Sequence, residues 1–352
     1  MTRSRSYIAT PPGATLKEQL DDRGMSQKEL AARMDMSEKH ISKLMNGDVQ
    51  LTPDVAVRLE TVLGVPASFW NNLEAIYREK LVKAEAENAM DADAEIAGQF
   101  PYGEMAKSGW VPETKDAKEK VVFLRKYFGV VSLSLLDNVQ ITRIACRRLA
   151  ITEKSDLALM AWAQEARILA RNTVTSAVNS KKLIALVPEI RKMTVMKPDE
   201  FCPRLKQSLA GCGVALVFLP HLKGSFLQGA TFPDGNKIVV GLTARGKDAD
   251  KFWFSLFHEL AHIILGHLGR PAGTSDEDED VADRWAGNAL IPSGDFERFV
   301  AEKDYTKEGV RGFALQQGIA PGIVVGRMQR EGVIKYSVLN ELKEHYVIAG
   351  SQ

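Results

Sequence analysis

Apolar residues recur at helical spacing through the first ninety positions, in short runs bounded by caps. A first run over 16–22 stops at Arg23-Gly24. Ser26, with Glu29 three residues on, has the pattern of a capping box and opens a helix over 27–34. Asp35-Met36 makes a turn, Ser37 caps a helix over 38–45, and Asn46-Gly47 ends it. Thr52-Pro53-Asp54 opens a fourth helix, with proline at the first helical position and an acid in the first turn. Val55, Val57, Leu59, Val62 and Leu63 are its candidate inward positions, and Gly64 ends it. A fifth, longer helix over 69–88 carries Phe69, Trp70, Leu73, Ile76 and Tyr77 at spacings of three and four. It then becomes charged and Ala-rich, as a tether or a dimerisation helix would. Residues 1–12 are polar and end at Pro11-Pro12-Gly13, which predicts a mobile arm.

The periodicity lapses over 91–112, where Gly98, Pro101, Gly103, Gly109 and Pro112 fall. A linker is expected there. Helices resume over 117–128, 155–178, 181–193 and 198–209, which predicts a central helical bundle. At Cys212-Gly213 the pattern changes from helical to extended. The run over 214–219 is continuous, apolar and rich in β-formers; 229–232 and 237–242 flank the turn Pro233-Asp234-Gly235-Asn236 and predict a hairpin. A small antiparallel sheet is expected. From Asp248 onward comes a helix apolar nearly all round, which is the mark of a buried helix. The fold class is therefore mainly α, of the α+β kind, in three parts: 1–88, 89–204 and 205–352.

Two short helices joined by a tight turn and backed by a third form a helix-turn-helix, with Leu30, Ala31, Met36, Ile41 and Leu44 as its small core. Its second helix offers Ser37, Glu38, Lys39, His40, Ser42 and Lys43 to base edges or phosphates, and Gln27 and Lys28 open the preceding helix, whose amides suit a phosphate. Bulk charge does not argue for DNA: residues 1–88 hold 12 Lys/Arg against 13 Asp/Glu, and the whole chain carries +1. Binding would rest on a local surface. The bland alternative is a helical bundle with an ordinary polar face.

The buried helix carries His258-Glu259-Leu260-Ala261-His262. Histidines four apart lie on one helix face and can share one Zn²⁺, with the glutamate placed to act on water. Unpaired polar groups in a buried helix are costly, and metal ligation would explain them. A third ligand is needed. A histidine six residues after His262 is excluded by register, because that position is Leu268 and His267 is one residue, or about 100°, out of step. A glutamate from the next helix remains. Ser275 caps that helix; Glu279 is favoured among its acids, with Glu277 as the alternative, while Asp276 to Asp278 fit a solvated first turn. Asp283, four residues after Glu279, can accept the far N–H of a ligand histidine. His221, His267 and Tyr305 are candidates for an oxyanion stabiliser.

The remaining signals are weak. Cys146, Cys202 and Cys212 form no C-x-x-C pair and read as reduced, buried thiols of a cytoplasmic protein. Arg143 with Arg147-Arg148 reads as a solvated helix face. No stretch approaches the length of a membrane span, and no apolar run follows the basic N-terminus.

Two family resemblances run through these motifs. Residues 10–77 resemble the HigA family of antidote repressors within the Xre-type helix-turn-helix group. The match is carried by Gly24-Met25-Ser26-Gln27-Lys28-Glu29-Leu30-Ala31, Ser37-Glu38-Lys39-His40-Ile41-Ser42-Lys43, Asn46-Gly47 and Phe69-Trp70-x-Asn72-Leu73. The resemblance implies a homodimer on double-stranded, palindromic operator DNA and a possible toxin partner. His40 stands where such proteins usually carry a small polar residue, so no base preference is transferred. Residues 205–292 resemble the ImmA/IrrE metallopeptidases, through Phe254-Ser255-Leu256-Phe257-His258-Glu259-Leu260-Ala261-His262, Glu279-x-x-Ala282-Asp283-x-Trp285-Ala286, Leu290-Ile291-Pro292, the run from Gly213 and Gly224-Ser225-Phe226. Trp285 replaces the usual phenylalanine. This resemblance implies a zincin-like fold, gluzincin-type Zn²⁺ held by His258, His262 and Glu279, and Glu259 as the catalytic group. Residues 311–345 resemble the tail found with such domains. Together they predict a DNA-binding regulator whose zinc endopeptidase cleaves a regulatory protein, a partner or this chain near 85–112, to relieve repression. The alternative is a non-proteolytic repressor or antitoxin that uses the peptidase fold as a sensor or partner-binding domain.

Overall fold

The computed structural model describes all residues except 1, 5, 89, 139–152, 223–227, 244–247, 269–273 and 347–352. Cys146, the Arg143 cluster and Gly224-Ser225-Phe226 lie outside the described residues. The chain divides into two units, Met1–Ala94 and Glu95–Gln352.

In the first unit the capping chemistry sets the helices. After two short antiparallel strands, β1 (Thr2–Arg3) and β2 (Ile8–Ala9), come α1 (Gly13–Asp22), α2 (Gln27–Arg33), α3 (Glu38–Asn46), α4 (Pro53–Leu63) and α5 (Ala67–Asn88). Ser26, Ser37 and Thr52 accept hydrogen bonds from the backbone N–H groups of Glu29, His40 and Val55. Only half of the expected capping box forms, because the Glu29 carboxylate pairs with Arg33 at 2.6 Å. Leu16, Leu20, Leu30, Ala31, Met34, Ile41, Leu44, Val55, Leu59, Leu63 and Trp70 make the core. Val57 is a correction: it is 55% exposed, since the inward stripe of α4 runs through Val55, Ala56, Leu59 and Leu63 and one further residue rotates off it. The N-terminal segment is a second correction. Glu87 near the end of α5 accepts from the Ser4 hydroxyl at 2.6 Å and from the Ser6 backbone at 3.0 Å, and Asn88 donates to the Arg3 carbonyl. Its hydrophilicity hid that docking, which runs through these hydrogen bonds together with a Lys83–Tyr7 ring contact and the burial of Ala9.

The stretch read as a linker holds two helices, α6 (Met90–Ala97) and α7 (Tyr102–Lys107). Gly98, Pro101, Gly109 and Pro112 fall between and beside them, while Gly103 lies in the first turn of α7. Then follow α8 (Ala117–Phe128), α9 (Glu153–Ala170), α10 (Ser180–Lys192) and α11 (Pro198–Ala210). Helix α9 ends eight residues before the predicted 178, at a β-branched run, Thr173-Val174-Thr175, which disfavours helix. The segment beyond docks through Ser176 and Asn179, whose N–H groups donate to the carbonyls of Ala210 and Cys212.

A three-stranded sheet comes next, β3 (Val214–Leu219), β4 (Gly229–Asp234) and β5 (Lys237–Thr243), in the order β3-β5-β4. β4 and β5 form the expected hairpin, with Asp234 opposite Lys237. β3 is parallel to β5, with Val214 opposite Ile238. The all-antiparallel expectation therefore holds for one pair and fails for the other. β5 lies between β3 and β4, a placement that no local periodicity encodes. Helices α12 (Ala249–Ile264), α13 (Asp276–Leu290), α14 (Ser293–Glu302), α15 (Lys307–Gln317) and α16 (Pro321–Arg330) complete the unit. One apolar cluster takes in side chains of α10, α11, the sheet and α12 to α16. Helix α12 lies inside it. Trp253 and Leu256 are wholly buried, and the Trp253 indole donates to the Tyr346 hydroxyl at 3.0 Å. In the tail, Ile323, Val324, Val325 and Met328 of α16 pack into this core. No helix among the described residues is long and apolar enough to cross a membrane.

Candidate metal centre and nucleic-acid interface

Helix α12 buries its apolar residues on all sides, and the same burial presses Glu259 and His262 inward, at 5% and 1% exposure. Helix α13 runs beside it, and its capped first turn aims Glu279 at the two histidines. His258 Nε2 lies 3.0 Å from His262 Nε2 and 3.2 Å from a Glu279 oxygen, and His262 Nε2 lies 3.5 Å from the other Glu279 oxygen. A tetrahedral zinc with bonds near 2 Å needs donors about 3.3 Å apart. The three side chains are thus gathered at the spacing such an ion requires, and they are the one cluster of this kind among the described residues. Glu277 is exposed and lies outside this cluster.

The rear of each histidine is also engaged. His258 Nδ1 donates to Asp283 at 2.7 Å. His262 Nδ1 lies 3.1 Å from His267 Nδ1. Burial disfavours the charged form of His258, but hydrogen bonds to Asp283 and Glu279 outweigh it and raise the imidazole to about 10. Burial, and then the charge of His258, push His262 down to about 4. Burial also opposes ionisation of Glu279, yet hydrogen bonds from His258 and Thr274 hold its carboxyl below the usual range.

Glu259 points the other way, toward the sheet. Its carboxylate accepts from the Thr231 hydroxyl on β4. At Gly229, two residues earlier on the same face of the strand, a Cβ would stand 2.7 Å from the Glu259 carboxylate oxygen, so glycine is what lets α12 approach β4. Burial raises the Glu259 carboxyl to about 7, against the opposing pull of His258 and Thr231. A carboxyl poised there can take and return a proton near neutral pH.

Several neighbours escaped the sequence reading. Thr231 and Gly229 sat in a strand that read as structural, and nothing local showed that β4 lies against α12. Thr274, which donates to Glu279, sat in an unremarkable loop. Asp278 had a usable signal. Ser275-x-x-Asp278 is a capping-box pattern, and both halves form: Ser275 accepts from the Asp278 backbone, and Asp278 accepts from the Ser275 N–H at 3.0 Å. Asp278 is 8% exposed, not the solvated acid expected. Of the three oxyanion candidates, Tyr305 donates its hydroxyl to the Val300 carbonyl, and His267 sits behind His262, away from the metal-facing edge. His221 is exposed.

The helix-turn-helix candidates divide by exposure. Lys28, Ser37, Glu38, Lys39 and Lys43 are exposed, while Gln27, His40 and Ser42 are half-buried. The Gln27 amide donates to the Glu38 carbonyl at 3.4 Å, tying the start of α2 to the start of α3. Ser37 is occupied as a cap. His40 Nε2 is enclosed without a hydrogen-bond partner, so that ring edge does not face solvent.

Comparison with known proteins agrees with both units. Residues 16–70 match the Helix-turn-helix family, and residues 218–316 match the IrrE N-terminal-like domain of the M78 peptidases. An uncharacterized HTH-type transcriptional regulator, YddM of Escherichia coli (strain K12), is 34% identical over 80 residues, which cover 23% of this chain and 81% of that protein. The first unit thus carries an Xre-like helix-turn-helix, and the second carries an IrrE-like, peptidase-type domain. With its DNA-binding motif in the first unit and most of a regulator's length matched, the chain belongs to the HTH-type transcriptional regulators.

Proposed function

We propose that this chain is a cytoplasmic, dimeric operator-binding regulator whose IrrE-like domain is a zinc-dependent endopeptidase, cleaving a regulatory protein to relieve repression. The observation that carries the reading is the converging set His258, His262 and Glu279, with Glu259 buried beside it and its carboxyl near 7. These three residues would hold Zn²⁺. Zinc, when bound, supplies Lewis acidity for hydrolysis of an amide. Glu259 takes the proton of the attacking water and returns it to the leaving amine. Thr231 orients the Glu259 carboxylate, and Asp283 holds the ring of His258. β4 pairs on one side only among the described residues and lies against Glu259, so an extended polypeptide adding to that edge would bring its backbone to the site.

An extended substrate favours a partner over this chain's own 85–112 stretch, where α5, α6 and α7 hold much of the backbone in helix. On the DNA side, Lys28, Glu38, Lys39 and Lys43 are the exposed candidates for operator contact, with Gln27 and Ser37 fixing the starts of the two helices and His40 and Ser42 half-buried on α3. A HigA-like role with a toxin partner is consistent with the motif set of residues 10–77.

The test is incubation of cell extract with zinc-loaded wild type or Glu259→Gln, followed by labelling of new protein N-termini. New termini made by wild type alone support the endopeptidase. Identical sets from the two overturn it and leave a zinc-holding sensor or partner-binding domain.

A further inference from the structure

Helix α12 ends at Ile264, with Leu265 as its cap. Gly266 follows at φ +73°, the left-handed conformation that glycine adopts without strain. That turn folds the chain back, so that the His267 N–H donates to the His262 carbonyl at 3.0 Å. The same turn lays one imidazole against the other, Nδ1 to Nδ1 at 3.1 Å. His267 is 6% exposed, and its Nε2 faces an oxygen of Asp278 at 3.6 Å, an electrostatic contact longer than a hydrogen bond. Asp278 is in turn fixed by Ser275 at the start of α13.

Two Nδ1 atoms in contact need one proton between them, and the surroundings decide which ring carries it. Asp278 favours a proton on His267 Nε2, which leaves His267 Nδ1 as an acceptor. His262 Nδ1–H then donates to it, and His262 Nε2 keeps its lone pair toward Glu279 and His258. The opposite arrangement would put a proton on His262 Nε2, the atom that has to ligate.

We propose that His267, backed by Asp278, is a positioning residue that fixes the tautomer and ring orientation of His262, so that the site rests on two unlike supports, Asp283 behind His258 and a histidine–aspartate pair behind His262. This rests on the zinc-site reading above. Such supports are worth roughly 10–100-fold in metal affinity.

The experiment is zinc affinity of the full chain by competition with a chromophoric chelator, for wild type, His267→Leu, His267→Asn and Asp278→Asn. The asparagine carbonyl can stand in for the Nδ1 acceptor, so His267→Asn is expected to bind within about threefold of wild type, while His267→Leu binds roughly 10–100-fold more weakly and Asp278→Asn falls between. A role in packing alone would not be rescued by asparagine. If His267→Leu fails to fold, the asparagine variant decides: loss of tenfold or more there overturns the proposal. Wild-type affinity in His267→Leu overturns it too. A wild type that takes up no zinc overturns the zinc-site reading itself.

Discussion

The two units bring their working residues together by opposite means. In the first, α2, α3 and α4 each begin at a side chain that caps an amide three residues on, and the DNA-binding candidates all lie within the 17 positions from Gln27 to Lys43. In the second, the working cluster joins residues of α12 and α13 with a strand residue 28 positions before Glu259. Local chemistry builds the first surface, and tertiary packing builds the second. The first should therefore fail by small increments and the second all at once.

The largest effect is expected from the ligands. His262→Ala should abolish stoichiometric zinc, measured by metal analysis of the purified chain, and leave affinity for DNA unchanged. A parallel loss of DNA binding would break the separation between the units. Next comes Leu30→Ala in the core of the helix-turn-helix, where removal of a fully buried leucine costs about 2–5 kcal/mol. Denaturation should show the first unit destabilised while zinc content holds. Ser37→Ala removes one cap of α3 and should cost about 1 kcal/mol. A graded loss of DNA affinity without unfolding is the expected readout.

Two smaller effects sharpen the account of the metal site. In the metal-free chain, His258 is raised from 6.5 to about 10. A raised histidine contributes stability that is fully present below about 6.5 and is lost as pH climbs through 10. Melting temperature of the metal-free chain should fall across that window, and Asp283→Asn should flatten the fall. Thr231→Val removes a hydrogen bond to the charged form of Glu259, so the Glu259 carboxyl should rise further. Cleavage at pH 7 should drop roughly two- to tenfold, recovering at higher pH.

Much of this was legible in the sequence, for reasons that differ by residue. The caps Ser26, Ser37 and Thr52 act over three positions, so their patterns could be read directly. The spacing of His258 and His262 is a helix property, and register alone excluded position 268. Glu279 emerged because it stands four residues before Asp283 on one face of the following helix. Thr231, Gly229 and the parallel pairing of β3 with β5 depend on which strand lies where, and a linear pattern holds no trace of that. The docking of the N-terminal segment on Glu87 was hidden for the same reason, across 83 positions. Asp278 differs, since its capping-box signal was present and was outweighed by the acidic run around it.

The central claim is that regulation by this chain depends on the chemistry of Glu259. The most direct measurement compares transcripts, across growth and stress conditions, in cells carrying wild type or Glu259→Gln at matched protein levels. The genes bound by the chain should stay repressed in the Glu259→Gln cells under conditions where wild type releases them. Transcript profiles that match across all conditions would contradict it.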